Sequence, residues 1–292
     1  MASRQGAAEC NSILDVVNRT VELPTMPEVL VKLNQVVADP DASADDVGAV
    51  IARDPAVSAN ILRMVNSAHF GLQERVGQVS QAVAIMGFRL TKKVALKAAV
   101  FSVFANRHSD SAVFDPAGFW RHSIFSGVAA RAIAQESPRF AGLDPEDLYI
   151  CGLLHDIGRI ILLESAPDAY QRVLADASAH RASLLDVEST QLGFTHADVG
   201  SVLAIKWMLP EDLTIAIRYH HAPGHDPFHQ TLSSLIHLAD HLAWSAGQPS
   251  LQDIAPPQLD VEVYDQVGLE AQQLEDLLPR ICDDFAATEM PW

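Results

Sequence analysis

The chain has 292 residues, of which 49% are hydrophobic, and its 37 acidic against 20 basic side chains give a net charge of −17. A chain this acidic repels phosphate backbones and anionic bilayers, so we expect neither direct nucleic-acid binding nor a membrane partner. It lacks an apolar run of the roughly 18 residues that span a bilayer, and its three widely spaced cysteines indicate a reducing, cytoplasmic location.

Helical patterning dominates the first part of the chain, residues 1–110. Apolar residues recur at helical spacing, and Pro27 stands where a first helical turn begins. The segment Ser43-Ala-Asp-Asp46 has the form of a capping box, with Asp in place of the usual Glu. Helices are predicted at residues 26–37, 43–53, 55–65, 80–87 and 89–106. We interpret residues 1–110 as an N-terminal helical lobe.

A polar segment interrupted by Pro and Gly, residues 107–118, predicts the junction to a second helical lobe at 111–250. Helices are predicted there at residues 119–136, 145–163, 167–178, 183–191, 196–207, 211–221 and 230–246. A Pro-rich linker at 247–258 and an amphipathic helix at 270–285 dominate the remaining segment, 251–292. Because no run of alternating apolar residues predicts a strand, the fold class should be all-α, with two packed helical lobes.

An adjacent His155-Asp156 pair lies within the apolar run Tyr149–Leu163. A charged carboxylate in such a run is costly to bury unless it is paired or bound to a metal ion. We expect the pair on one continuous helix, where the two side chains diverge by about 100°. Both can still reach a single ion that lies against the flank of that helix.

Other side chains of the second lobe extend this pair to a set of metal-type ligands. The candidate ligands are His122, His155, Asp156, His196, His220, His221 and Asp240. A first ion would be held by His122, His155, Asp156 and Asp240. A second would be held by His196 with His220 or His221, and Asp156 would bridge the two ions. These ligands suit a divalent Fe, Mn, Mg, Zn or Ni ion, and two such ions can clamp a phosphate and activate water.

The same residues also have structural explanations, which the sequence leaves open. His196 follows a capping residue, so it can simply belong to the first turn of a helix. His220 and His221 end a helix, where an imidazolium interacts favourably with the helix dipole. His237 and His241 fit the edge of a helix and are left out of the site. The whole set can also form a core in which polar side chains satisfy one another without metal.

In chain order, these ligands resemble the set of the HD superfamily of metal-dependent phosphohydrolases: a lone His, a His-Asp pair, another His, a His-His pair and an Asp. Over roughly residues 20–245 the chain is more closely similar to the HDOD family, the HD-related output domain of bacterial signalling proteins. The motifs that carry this similarity include Leu23-Pro-Thr-Met-Pro-Glu28, Asp54-Pro-Ala-Val-Ser58, Gly152-Leu-Leu-His-Asp-Ile-Gly-Arg159, Thr195-His-Ala-Asp-Val-Gly200 and Ile217-Arg-Tyr-His-His221. The resemblance implies an all-α regulatory module with signalling proteins as partners, and it leaves a nucleotide ligand open.

The chain departs from the cyclic-di-GMP phosphodiesterase branch of the superfamily, HD-GYP, at two places. Ala222-Pro-Gly-His225 follows the His-His pair in place of that branch's Asp-Gly-x-Gly-Tyr-Pro segment, and Arg159 stands where that branch has Lys. Arg keeps the charge but differs in shape and in how it holds phosphate. We therefore expect a regulatory module rather than an enzyme. The alternative is a metal-dependent phosphohydrolase of nucleotides or cyclic nucleotides, with Asp156 and Arg159 as its catalytic residues.

Overall fold

The computed structural model describes residues 28–67, 70–104, 114–207, 209–251 and 254–288. Every regular element in these ranges is a helix, so the all-α prediction is confirmed. None of these helices combines the length and the apolarity that crossing a membrane requires. The described residues form two compact units, the first within residues 24–108 and the second within 109–289. The assignment of domains to 1–110, 111–250 and 251–292 remains a prediction.

The described part of the first unit consists of helices that pack around α4. The helices are α1 (Glu28–Val37), α2 (Ala44–Ile51), α3 (Pro55–Val65) and α4 (Val79–Phe104). α4 packs against α2 and α3, and Val47 and Ile61 are completely buried. Gly87 interrupts α4 with φ 75° and ψ 161°, a conformation that favours glycine. This break separates the two helices that the sequence predicts at 80–87 and 89–106.

The capping box predicted at the start of α2 is present. Asp46 N donates to Ser43 Oγ at 3.2 Å, and Ser43 N donates to the Asp46 carboxylate at 2.9 Å. Ser43→Ala should therefore lower the free energy of unfolding by about 1 kcal/mol, because one amide of the first turn loses its acceptor. Urea unfolding measures the change, with Ser189→Ala, exposed inside the helix Leu184–Leu192, as the control. Equal stability of the two variants would refute the capping role.

The second unit is built around α5. Its described helices are α5 (Pro116–Glu136), α6 (Pro145–Leu154), α7 (Ile157–Ser165), α8 (Pro167–His180), α9 (Leu184–Leu192), α10 (His196–Lys206), α11 (Glu211–Tyr219), α12 (Gln230–Ser245), α13 (Val263–Val267) and α14 (Ala271–Ala286), with short 3-10 helices at Pro138–Phe140 and Pro223–His225. α6, α12 and α14 pack against α5. On α14, the residues Leu274, Leu277 and Ile281 of the predicted apolar stripe are buried.

Two glycines allow helices of this unit to approach each other very closely. A Cβ atom on Gly152 of α6 would lie 2.6 Å from the carbonyl oxygen of Ser126 on α5. A Cβ atom on Gly158 of α7 would lie 1.9 Å from the carbonyl oxygen of His196 on α10. Any side chain at either position would overlap a backbone atom, so both approaches depend on glycine. They bring the ends of α6 and α7 against the helices that carry His122 and His196.

The prediction of a single helix over residues 145–163 is wrong. α6 ends at Leu154 and α7 begins at Ile157, so the His155-Asp156 pair lies at a break between two helices. Asp156 has φ −95° and ψ 7°, which departs from helical geometry and turns the chain. The turn brings both side chains of the pair to one buried centre. Periodicity does not reveal it, because the segment is buried on every side.

Candidate metal centre

All seven candidate ligands meet in the interior of the second unit, although they come from different helices. They are His122 on α5, His155 and Asp156 at the α6–α7 break, His196 at the start of α10, His220 and His221 after α11, and Asp240 on α12. Six are completely buried, and His221 exposes 7% of its side chain. Their ligand atoms form two groups, each with all atoms within 4.8 Å of one another. We call Asp156, His196, His220 and His221 the His196 group, and His122, His155 and Asp240 the His122 group.

Asp156 lies between the two groups. Its Oδ1 is 3.1 Å from His196 Nε2 and 3.4 Å from His220 Nε2. Its Oδ2 is 3.4 Å from His155 Nε2 and 3.8 Å from His122 Nε2. One carboxylate therefore faces ligand nitrogens of both groups, as a residue that bridges two ions has to do.

Asp240 links the same groups from the opposite side of the centre. Its Oδ1 is 3.1 Å from His122 Nε2 and 3.9 Å from His155 Nε2. Its Oδ2 is 3.9 Å from Nδ1 of His221, a residue of the His196 group. Asp156 and Asp240 thus share two imidazole neighbours, and the seven residues form one centre rather than two separate ones.

Backbone carbonyl groups fix the orientation of three of the imidazoles. The Nδ1 atoms of His122, His155 and His220 lie 2.8, 2.7 and 2.8 Å from the carbonyl oxygens of Gln248, Gly152 and Ile217. A carbonyl oxygen only accepts hydrogen bonds, so each Nδ1 is the donor and its proton stays there. In the neutral form of each ring, Nε2 therefore presents a lone pair to the centre, which is the arrangement of metal-ligating histidines.

The inner atoms of the centre fit a bound cation. No hydrogen-bond partner meets His122 Nε2, His155 Nε2, His220 Nε2, His221 Nδ1 or either carboxylate oxygen of Asp156 and Asp240. Buried polar atoms are normally hydrogen-bonded, and unpaired ones cost about 1–3 kcal/mol each. Acceptor atoms that converge without donors are stabilised by a positive charge among them. Imidazole nitrogens with carboxylate oxygens suit Fe, Zn, Ni or Mn better than an all-oxygen site would.

The two carboxylates of the centre remain ionised. Although burial opposes ionisation, the Arg159 guanidinium and the His155 imidazole hold the pKa of Asp156 well below its usual range. Burial likewise raises the pKa of Asp240, but the His122 imidazole, 3.1 Å from its Oδ1, outweighs burial and lowers that pKa to about 2. Two negative charges are therefore fixed in the interior at neutral pH, and they call for positive charge nearby.

Burial and neighbouring charges shift the pKa values of four of these histidines in opposite directions. Burial lowers the pKa of His220 to about 4, and burial together with the nearby His220 and His196 holds the pKa of His221 well below its usual value. For His155, burial is outweighed by the charge of Asp156, so the pKa is raised. For His196, burial is outweighed by the charge of Glu188, which raises the pKa to about 9. The raised pKa values favour the protonated forms of His155 and His196 when no metal ion is bound, and a bound ion would displace those protons.

Arg159, the other residue predicted to be catalytic, is buried beside the centre. Its NH1 lies 3.2 Å from Asp156 Oδ2 and also donates to Ser250 Oγ. Only 2% of the residue is exposed. The guanidinium thus neutralises part of the charge of Asp156, and its action on a phosphate remains a prediction.

Sequence reasoning missed the side chains that support the ligands. Glu188 accepts hydrogen bonds from His196, and Ser250 accepts one from Arg159. His237, which the sequence analysis leaves out, donates from Nδ1 to the carbonyl oxygen of His220 and accepts from Asp260 N at Nε2. The signal for Glu188 is its position on α9, four residues after the buried Leu184 on the inward face of that helix. An acidic residue in an apolar stripe predicts a buried partner.

An all-α unit that buries a His-Asp pair with a lone His, a His-His pair and a distant Asp is of the HD type. The chain belongs to the HDOD family: the family model for the HDOD domain matches residues 23–223. That range contains six of the seven ligands, and Asp240 follows it in the chain. The predicted resemblance to the HDOD family is thereby confirmed, with the match covering residues 23–223 of the predicted range 20–245.

Among known proteins, the chain is similar to an uncharacterized protein of Treponema pallidum (strain Nichols), with 31% identity over 215 residues. That match covers 73% of this chain and 40% of the relative, so the chain spans less than half of that protein's length.

Among solved structures, a candidate signal transduction protein from Marinobacter aquaeolei VT8 superposes with a TM-score of 0.73 at 24% identity, over 92% of this chain and 59% of that one. A candidate phosphohydrolase from Shewanella amazonensis SB2B gives a TM-score of 0.68 at 22% identity, over 92% and 93%. An HDOD domain protein of unknown function from Geobacter sulfurreducens gives 0.66 at 20%, over 95% and 90%. At these identities, the solved structures show a common fold.

Proposed function

We propose that this chain is a regulatory module of bacterial signal transduction that acts through contacts with partner proteins and contains a divalent metal ion in its HD-type centre. The observation that carries the proposal is the combination of a full ligand set with its burial. Except for His196 Nε2, which lies 3.0 Å from His221 Nε2, the inner ligand atoms lack hydrogen-bond partners, yet no ligand side chain is more than 7% exposed. Such a centre suits an ion that fastens helices together better than one that has to admit a substrate, because catalytic metal sites keep an open position.

In the metal-bound protein, the His122 group and the His196 group would hold the ion or ions, with Asp156 between them. The ion would supply positive charge to inner acceptor atoms that lack hydrogen-bond partners. The residues of the chain then do the structural work: carbonyl groups orient His122, His155 and His220, and Arg159 balances Asp156. Because the ligands come from α5, the α6–α7 break, α10, α11 and α12, occupancy would stabilise the second unit as a rigid surface for partners.

The description of one structural neighbour supports this role. The Marinobacter protein, which has the same fold, is described as a candidate signal transduction protein. This chain belongs to the HDOD family. The contacts with partner proteins and the cytoplasmic location predicted from the cysteines are both parts of the proposal.

A phosphohydrolase that acts on a nucleotide or cyclic nucleotide is the second candidate. It is favoured by the position of Asp156, which faces both ligand groups as a residue bridging two ions would. A second solved structure from Shewanella amazonensis SB2B, named as a candidate metal-dependent phosphohydrolase, has the same fold with a TM-score of 0.58. Cyclic-di-GMP is a poor candidate substrate, because Pro223 restricts the loop after the His-His pair and Arg159 is engaged with Asp156.

Elemental analysis of protein purified without chelator tests the metal. We expect a stoichiometric divalent transition metal ion, and we expect chelation to lower the melting temperature, since a ligand at a thousand times its Kd stabilises by about 4 kcal/mol. Protein that carries no metal and binds none on addition of Fe, Mn, Zn or Ni would refute the metal part of the proposal.

A phosphodiesterase assay separates the two candidate functions. Metal-loaded protein is incubated with cyclic-di-GMP and with a generic phosphodiester, and linear products are followed by chromatography. The regulatory proposal expects no product above the metal-only control. Turnover of about 1 per second, in the ordinary range of enzymes, would replace it with the phosphohydrolase, provided that Asp156→Ala removes the activity.

A further inference from the structure

Glu188 is a completely buried carboxylate behind the metal centre, on a helix that carries none of the seven ligands. A buried carboxylate needs several donors to compensate its lost hydration. Glu188 obtains them from His196 and Tyr170. Tyr170 Oη on α8 donates to Oε1 at 2.7 Å, and Tyr170 is itself completely buried.

Glu188 holds His196 at two points. The backbone N–H of His196 donates to Oε2 at 2.9 Å, and the ring Nδ1 lies 2.8 Å from the same oxygen. His196 is the first residue of α10, so its backbone N–H has no acceptor within the helix. A carboxylate beside it also interacts favourably with the positive end of the helix dipole. The two bonds fix both the start of α10 and the plane of the imidazole.

This support differs in kind from that of the other oriented histidines. His122, His155 and His220 donate from Nδ1 to backbone carbonyl groups, whereas His196 donates to the side-chain carboxylate of Glu188. A carboxylate accepts a stronger, charge-assisted hydrogen bond than a carbonyl does. It therefore increases the electron density at Nε2, the atom that lies 3.1 Å from Asp156 Oδ1 and 3.0 Å from His221 Nε2.

We propose that Glu188, held in place by Tyr170, is a positioning residue that determines the metal affinity of the His196 group. The inference rests on the proposed metal binding and adds to it a difference between the two groups: the His196 group depends on one side chain outside the ligand set. The His122 group has backbone support, which no single side-chain substitution of this kind removes.

The chemistry of Glu188→Gln shows why the substitution is informative. A carboxylate offers acceptors alone, so it keeps the His196 proton on Nδ1. The amide of glutamine also offers N–H donors, and one of them can donate to Nδ1. The ring proton then moves to Nε2, where it blocks ligation. The volume of the side chain hardly changes, so packing is conserved while the ligand atom is lost.

The test is a titration of chelator-treated protein with Mn²⁺, in which electron paramagnetic resonance measures the free ion. We expect Glu188→Gln to weaken the binding event of the His196 group by about 10–100-fold, the usual effect of removing a supporting residue. Binding to the His122 group should stay within about two-fold of wild type. If the wild type binds two neighbouring Mn²⁺ ions, their magnetic coupling is visible in its spectrum. At subsaturating Mn²⁺, this coupling should be absent from Glu188→Gln.

Three further variants make the result specific. Glu275→Gln, the same chemical change at an exposed position of α14, should bind Mn²⁺ like wild type. Tyr170→Phe removes one hydroxyl group and should weaken the same event by a smaller factor. Glu188→Asp keeps a carboxylate and should bind more tightly than Glu188→Gln, which a purely packing role would not produce. Circular dichroism of each metal-free variant shows whether it is folded.

Wild-type Mn²⁺ affinity in folded Glu188→Gln would overturn the inference while leaving metal binding intact. If that variant fails to fold, wild-type affinity in both Glu188→Asp and Tyr170→Phe would overturn it instead. Wild-type protein that binds neither Mn²⁺ nor another divalent ion is a separate outcome, because it refutes the proposed metal centre itself.

Discussion

Asp156→Ala should abolish stoichiometric metal binding and lower the free energy of unfolding by about 3–5 kcal/mol. The carboxylate faces His155, His196 and Arg159, so its removal leaves buried positive charge without a partner. Its position between the two ligand groups means that both should lose affinity together. Elemental analysis and urea unfolding, each with and without chelator, measure the two effects.

Two comparisons make this result specific. Asp283→Ala, at an exposed position of α14, removes the same charge far from the centre along the chain and should change neither quantity. Asp156→Asn keeps the shape and should lose the metal with a smaller loss of stability, because its amide oxygen still presents an acceptor to the neighbouring Arg159 guanidinium. Metal content unchanged in Asp156→Ala would show that the ion, if present, lies elsewhere.

Most of the helices could be predicted because their patterns are local. The capping box of Ser43 and the apolar stripe of α14 depend on residues a few positions apart, and both are present. The break at His155-Asp156 could not be predicted in the same way. The helix after the break contacts α10, some 40 residues further along the chain, and such a distant contact leaves no local signal. A segment that is buried all round also has no periodicity to lose.

The residues that meet at the centre could be predicted from residue type and order, but the groups that support them could not. His and Asp in an apolar run are costly unless they meet a partner, so their positions attract attention. Gln248 contributes only a backbone carbonyl, which every residue has, and Ser250 lies in a segment that reads as a linker. Their roles follow from tertiary contacts. Glu188 is intermediate, since an acidic residue on the inward face of α9 is visible in the sequence and its partner is not.

Gly158→Ala should destabilise the second unit by about 3 kcal/mol or more, because the added methyl group overlaps backbone atoms that cannot move aside without shifting a helix. The added Cβ would lie 1.9 Å from the His196 carbonyl oxygen and 2.9 Å from Gly200 N. Both atoms belong to the backbone of α10, so no side chain can rotate away. The helices α7 and α10 would have to separate. Asp156 Oδ1 and His196 Nε2, which lie 3.1 Å apart, would then move away from each other. Metal affinity should therefore fall together with stability.

The matched control is Gly224→Ala, since a Cβ there meets nothing within 4 Å. Urea unfolding followed by circular dichroism, together with a Mn²⁺ titration, compares both variants with wild type. Gly224→Ala should match wild type in both measurements. A Gly158→Ala protein with wild-type stability and metal affinity would mean that α7 and α10 do not touch at this glycine. The closeness of Asp156 to His196 would then need another explanation, because this contact is what presses the His-Asp break against the start of α10.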